Sequence, residues 1–164
     1  MPVPYYDWAA CQADMRPDTP AIVDVHSGQT LTYGQLDDRS AQLARWLQDQ
    51  GVKRGDRVAL LAYNGPAFFE LEFAAGKIGA VMVPLNWRLV QPELEYILGD
   101  CAPQVLIYDT GFAAMAEALI DVCTIPAGLV IDVDSPENPY DAALASVGSA
   151  APHIEALTHD DLAM

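Results

Sequence analysis

The stretch Thr32–Ala62, "TYGQLDDRSAQLARWLQDQGVKRGDRVALLA", decides the architecture. Thr32 followed three residues later by Gln35 has the spacing of a capping box, in which hydroxyl and carboxamide satisfy free backbone N–H groups at a helix start. Leu31 and Leu36 stand at the positions of the accompanying hydrophobic staple. Beyond the cap, Leu36, Ser40, Leu43, Ala44 and Leu47 share one face at helical spacing, while Asp37, Asp38, Arg45 and Asp49 fall largely elsewhere. Gly51 supplies the C-terminal stop. "VKRGD" then reads as a turn, and "RVALLA" as a continuous apolar strand of the kind covered on both faces.

Working outward, "YDWAACQADM" is expected as a short amphipathic helix ended by Arg16-Pro17, and "AIVDV" and "TLTY" as a β-hairpin around the turn residues "HSGQ". Downstream, Asn64 is expected to cap a helix in "AFFELEFAAGKIGA", with Pro66 in its first turn and Phe68, Leu71, Ala75 and Ile78 in register. Phe69, Phe73 and Ala74 widen its apolar surface, which implies packing on more than one side. "AVMVPLN" is a short strand stopped by Pro84, "QPELEYIL" a helix, "QVLIYD" a strand, "GFAAMAEALIDV" a helix, "GLVIDV" a strand and "YDAALASV" a last helix. Strands alternating with helices in this way give an α/β fold with a mainly parallel sheet, flanking helices and an N-terminal β-hairpin.

Composition narrows the function classes. At 164 residues, 52% hydrophobic and 19% charged, the chain makes one globular domain. No apolar run approaches the roughly 20 residues of a membrane helix. The start "MPVPYYDWAACQADMRPDTP" has no basic region ahead of an apolar block, so the expected compartment is the cytoplasm. Cys11, Cys101 and Cys123 form no CxxC pair, which argues against a zinc site or disulfide framework. The net charge of −15 is unevenly spread: residues 1–88 carry all 8 Lys and Arg against 10 acids, whereas residues 89–164 carry 13 acids and no Lys or Arg. A nucleic-acid partner is excluded by that balance. The acidic half reads as solvated surface, or as surface covered in a longer protein by a basic region.

Tests for chemistry return no catalytic, cofactor-binding or metal-ligating residue. "GVKRG" lacks the spacing of a phosphate loop, and no G-x-G-x-x-G follows the first strand. His153, His159, Asp160 and Asp161 match no ligand spacing and read as part of a solvated linker over residues 149–164. His26 has no nearby nucleophile, and no G-x-S-x-G elbow is present. Asn86, Trp87 and Arg88 follow a strand, where open α/β sheets bind ligands. They are nevertheless expected to hold the frame, Asn86 bonding a turn and Arg88 pairing with Glu93 or Glu95, so that Arg88→Ala would lower thermal stability.

The order "TPAIVD", "LTYGQLDDRSAQLARWLQDQGVKRGDRVALL", "NGPAFFELEFAAGKIGAVMVPLNWRLVQPELEYIL" and "APQVLIYD" resembles the amino-terminal part of the adenylate-forming enzymes, specifically acyl-CoA synthetases. "GAVMVPLNWRL" is the most specific piece, with Asn86 and Arg88 matching the family's recurrent "LN-x-R-L". The resemblance implies a fatty-acid–CoA ligase that uses ATP, magnesium and coenzyme A, forming an acyl-adenylate before passing the acyl group to the thiol. It further implies that residues 1–164 are the N-terminal portion of the AMP-binding domain, expected to be inactive alone and to continue past Met164 into a Ser/Thr/Gly-rich phosphate loop. The rest of that domain and a C-terminal domain are then intramolecular partners, and a homodimer stays open. Alternatives are an aryl-CoA ligase, an amino-acid adenylation domain, or a non-catalytic binding or oligomerisation module.

Overall fold

The computed structural model describes residues 6–25, 27–148, Pro152 and Leu157. His26, His153, His159, Asp160 and Asp161 lie outside the described residues. The chain begins with helix α1 (Trp8–Met15), then strands β1 (Pro20–Val23) and β2 (Thr30–Thr32), which pair antiparallel as the expected hairpin. Helix α2 (Tyr33–Asp49) opens on the expected capping box: Thr32 Oγ1 accepts from the Gln35 N–H, and Gln35 Oε1 from the Thr32 N–H. Leu31 and Leu36 are both buried, as a staple requires. The buried face of α2 is Leu36, Ser40, Leu43, Ala44 and Leu47, the stripe drawn from the periodicity.

Strand β3 (Arg57–Leu61), helix α3 (Pro66–Ile78), strand β4 (Val81–Pro84), helix α4 (Gln91–Cys101), strand β5 (Val105–Asp109), helix α5 (Ala113–Cys123), strand β6 (Ala127–Ile131) and helix α6 (Pro139–Ser146) follow, with a 3-10 turn at Thr110–Phe112 before α5. The four strands form one parallel sheet in the order β4-β3-β5-β6. Alternation along the strands feeds two cores. Val58, Leu60, Val105 and Ile107 pack with Leu43, Leu47, Leu71, Ile78 and Leu144 from α2, α3 and α6. Ala59, Leu61 and Leu106 pack on the opposite face with Leu94, Leu98, Ala116 and Leu119 from α4 and α5. This double cover explains why β3 and β5 read as unbroken apolar runs.

Three local expectations differ from the structure. Asn64 does not cap α3; the N-cap is Gly65, without a side-chain bond, and Pro66 in the first turn needs no N–H partner. Phe69 is exposed and stacks edge-on against Phe68 instead of entering the core. In α1 only Ala9 is fully buried, Ala10 to Ala13 being half-buried, and the helix start is tied down: Asp7 Oδ1 accepts from the Ala10 N–H while Asp7 Oδ2 accepts from Lys77 Nζ at 2.6 Å.

Gly79 ends α3 in the left-handed region (φ 69°), and the space beside it is already taken. A Cβ there would lie 2.7 Å from Leu157 Cδ2 and 3.0 Å from Arg54 Cγ. Pro152 and Leu157 are both buried. Arg57, at the start of β3, donates to the Cys101 and Ala102 carbonyls and so closes the C-terminus of α4, where a cation meets the negative end of the helix.

Candidate functional site at the carboxyl edge of the sheet

The strand order fixes where a ligand crevice forms. The loop after β3 leads to α3 on one face, and the loop after β5 leads to α5 on the other, so the two diverge between neighbouring strands. A crevice outside the carboxyl ends is the expected consequence. The structure has a cleft of about 830 Å3 there, lined by Ala62–Ala67 after β3, Asp109–Gly111 after β5, Val133–Ser135 after β6 and part of the hairpin turn.

A charged network spans one wall and ties three helices together. Glu70 of α3 is fully buried and accepts from Arg39 Nε at 2.6 Å, Arg39 Nη2 at 3.3 Å and the Tyr140 hydroxyl at 2.7 Å. Arg39 Nη2 also donates to Asp141 Oδ1 at 2.7 Å, and Asn138 Nδ2 to Asp141 Oδ2 at 2.9 Å. Burial alone would lower the pKa of Arg39, but Glu70 and Asp141 hold it above its ordinary value. Burial, reinforced by the negative Glu70, holds the Tyr140 hydroxyl well above the usual phenol range, so it remains a donor.

Beside this cleft, Tyr63, Trp87 and Phe112 form an aromatic cluster at the ends of β3, β4 and β5. The Tyr63 ring centroid lies 5.0 Å from that of Trp87 and 4.9 Å from that of Phe112. Asn86 bonds the turn as expected, its Oδ1 accepting from the Arg88 N–H at 3.1 Å. Arg88 does not pair with Glu93 or Glu95. Glu93 Oε2 accepts from the Val90 N–H and Glu95 Oε1 from the Gln91 amide, so both carboxylates serve the first turn of α4. The Arg88 guanidinium instead lies over the Trp87 ring, 4.2 Å from its centroid. With that side chain exposed, Arg88→Ala is expected to cost at most about 1 kcal/mol of stability. A thermal melt checks this, and a loss above about 2 kcal/mol would return Arg88 to the frame.

The cleft is unsuited to a polyphosphate on its own. Its one guanidinium, Arg39, is engaged by two carboxylates, and Asp109 and Asp134 would face the ligand's negative charge. Among the described residues no three His, Cys, Asp or Glu side chains converge as metal ligands. The residues that line the cleft could not be read from local patterns, since its walls come from segments up to 117 residues apart in the chain, from Asp24 to Asp141.

Comparison with known proteins decides the family. The model of the AMP-binding enzyme family matches residues 10–164. The chain belongs to that family. A protein of Amycolatopsis sp. named feruloyl-CoA synthase is 42% identical over 134 residues, covering 80% of this chain and 27% of the relative. A long-chain-fatty-acid–CoA ligase, FadD13 of Mycobacterium tuberculosis, is 37% identical over 121 residues, covering 74% and 24%. The solved Mycobacterium tuberculosis fatty acyl CoA synthetase superposes with a TM-score of 0.81 at 32% identity, over 94% of this chain and 30% of its own. The chain thus spans about a quarter to a third of the length of these relatives. Among the described residues no helix is long and apolar enough to cross a membrane.

Proposed function

We propose that this chain is the amino-terminal portion of the AMP-binding domain of a cytoplasmic acid–thiol ligase whose acid is a fatty acid. The intact enzyme would condense the acid with ATP to an acyl-adenylate and pyrophosphate, then transfer the acyl group to coenzyme A with release of AMP. The observation that carries this reading is the family match from residue 10 to residue 164, together with the superposition on a fatty acyl CoA synthetase. In this reading the domain continues past residue 164 into the loop that holds the phosphates, and residues 149–164 are the connecting segment.

A second reading has its own support: the 42% identity to feruloyl-CoA synthase favours an aromatic acid. Pyrophosphate release by the full-length protein, measured against fatty, hydroxycinnamic and arylacetic acids, separates them. Turnover led by fatty acids supports the first reading, and turnover confined to aryl acids replaces it with the second. Absence of turnover with every acid, from a folded full-length protein, removes the ligase reading altogether.

Residues 1–164 alone are expected to show no ATP–pyrophosphate exchange. Charge developing on a transferring phosphate needs preorganised donors, and the one guanidinium in the described cleft, Arg39, is already engaged by Glu70 and Asp141. Measurable exchange by the purified 164-residue chain would overturn this.

A further inference from the structure

The loop from β6 to α6 is closed on itself by one side chain. Asn138, the N-cap of α6, accepts at Oδ1 from the Tyr140 N–H at 3.2 Å and from the N–H of Asp132, directly after β6, at 3.0 Å. Its Nδ2 donates to Asp141 Oδ2 at 2.9 Å, and the other oxygen of Asp141 accepts from Arg39 Nη2 at 2.7 Å. Capping the helix needs only the first of these bonds. The bond to Asp132 pins the two ends of the loop together, and the bond to Asp141 ties the loop to Arg39 and through it to the buried Glu70 of α3. Val133, Asp134 and Ser135, between those ends, line the cleft, as do Gly65, Pro66 and Ala67 at the start of α3.

We infer that Asn138 is a positioning residue of the cleft: it holds the β6–α6 loop as one wall and, through Asp141 and Arg39, fixes that wall relative to α3. A wall ordered in advance costs a ligand less to bind than one that must be ordered on its arrival. The device therefore acts on substrate affinity and not on the chemical step. Its effect on turnover rests on the reading of this chain as part of an acid–thiol ligase, whereas the closure of the loop does not.

The test uses the full-length protein and two variants. Asn138→Ala removes all three side-chain bonds, whereas Asn138→Asp keeps both acceptor bonds and removes only the donor to Asp141. Amide hydrogen exchange is read by peptide mass spectrometry, with each protein held equally far below its own melting temperature. Residues 131–138 are expected to exchange about tenfold faster in Asn138→Ala than in the native protein, with the rest of the chain unchanged. Asn138→Asp is expected to restore slow exchange in that segment, because aspartate accepts at a helix N-cap as well as asparagine does. In steady-state kinetics Asn138→Ala is expected to raise the KM of at least one substrate about threefold or more, with kcat within about twofold of native.

Native-like exchange of residues 131–138 in Asn138→Ala overturns the inference, and so does faster exchange spread evenly along the chain, the mark of a side chain that only stabilises. Failure of Asn138→Asp to restore slow exchange overturns the closure through Asp132. Local loosening with every KM unchanged overturns the link to binding. A full-length protein that turns over no acid removes the ligase reading and leaves the exchange result to decide the positioning role.

Discussion

Replacing Glu70 by alanine is expected to destabilise the fold by about 3–5 kcal/mol, the scale of removing one partner from a buried charged network. The Glu70 side chain is 1% exposed and accepts from both Arg39 and Tyr140, whose ring also lies under the Arg39 guanidinium, 5.9 Å from its centroid. Alanine would leave the buried Tyr140 hydroxyl without its acceptor and would cost Arg39 its shorter carboxylate contact, 2.6 Å against 2.7 Å to Asp141. Tyr140→Phe removes only one hydrogen bond to a charged group and should cost about 1.5–3 kcal/mol. Urea denaturation of the variants gives both values. If Glu70→Ala costs no more than Tyr140→Phe, the Arg39 contact contributes nothing and the network is not what joins α2, α3 and α6.

Local patterns carried most of the fold. The Thr32 and Gln35 pair could be read because both partners of a capping box lie within one turn, and the structure shows both bonds. The α2 stripe could be read because burial on one face leaves a 3.6-residue period, and the same five residues are buried. The runs "RVALLA" and "QVLIYD" announced a sheet with helices on both faces, which the two cores supply.

What failed to show was long-range. Glu70 and Lys77 sit inside "AFFELEFAAGKIGA", where a local reading puts charges on a solvated side, yet both are buried. Their partners are 31 to 70 residues away in the chain, and no window of sequence contains them. Arg88 failed for a related reason. Glu93 and Glu95 are near it in sequence, but the backbone and side-chain donors at the start of α4 take both carboxylates first. The candidate site was legible only in its position, the carboxyl ends of parallel strands, and not in its composition, because five separate segments meet there.

Lys77→Met is expected to cost about 3 kcal/mol, and the loss should be largely recovered when Asp7→Asn and Asp37→Asn are added. Lys77 Nζ is 2.6 Å from both Asp7 Oδ2 and Asp37 Oδ1, with the lysine side chain 5% exposed. Methionine fills the same slot but leaves two carboxylates, each about a quarter exposed, facing each other without a cation. Asparagine at both positions removes that repulsion while still capping α1 at residue 7. The trio also sets a pH limit. Burial by itself would lower the Lys77 pKa, but the hydrogen bonds and charges of Asp37 and Asp7 more than reverse this and hold it above the ordinary lysine value. The folded state therefore binds this proton more tightly than the unfolded state. Its contribution is complete below the unfolded lysine pKa of about 10.4 and is lost as pH rises through the folded value. Tyr140, also raised, acts in the same direction above a pH of about 10. Urea denaturation across the alkaline range should show a steeper fall for the native protein than for the triple variant. Parallel pH profiles would show that Lys77 is not the group that holds α1 to α2 and α3.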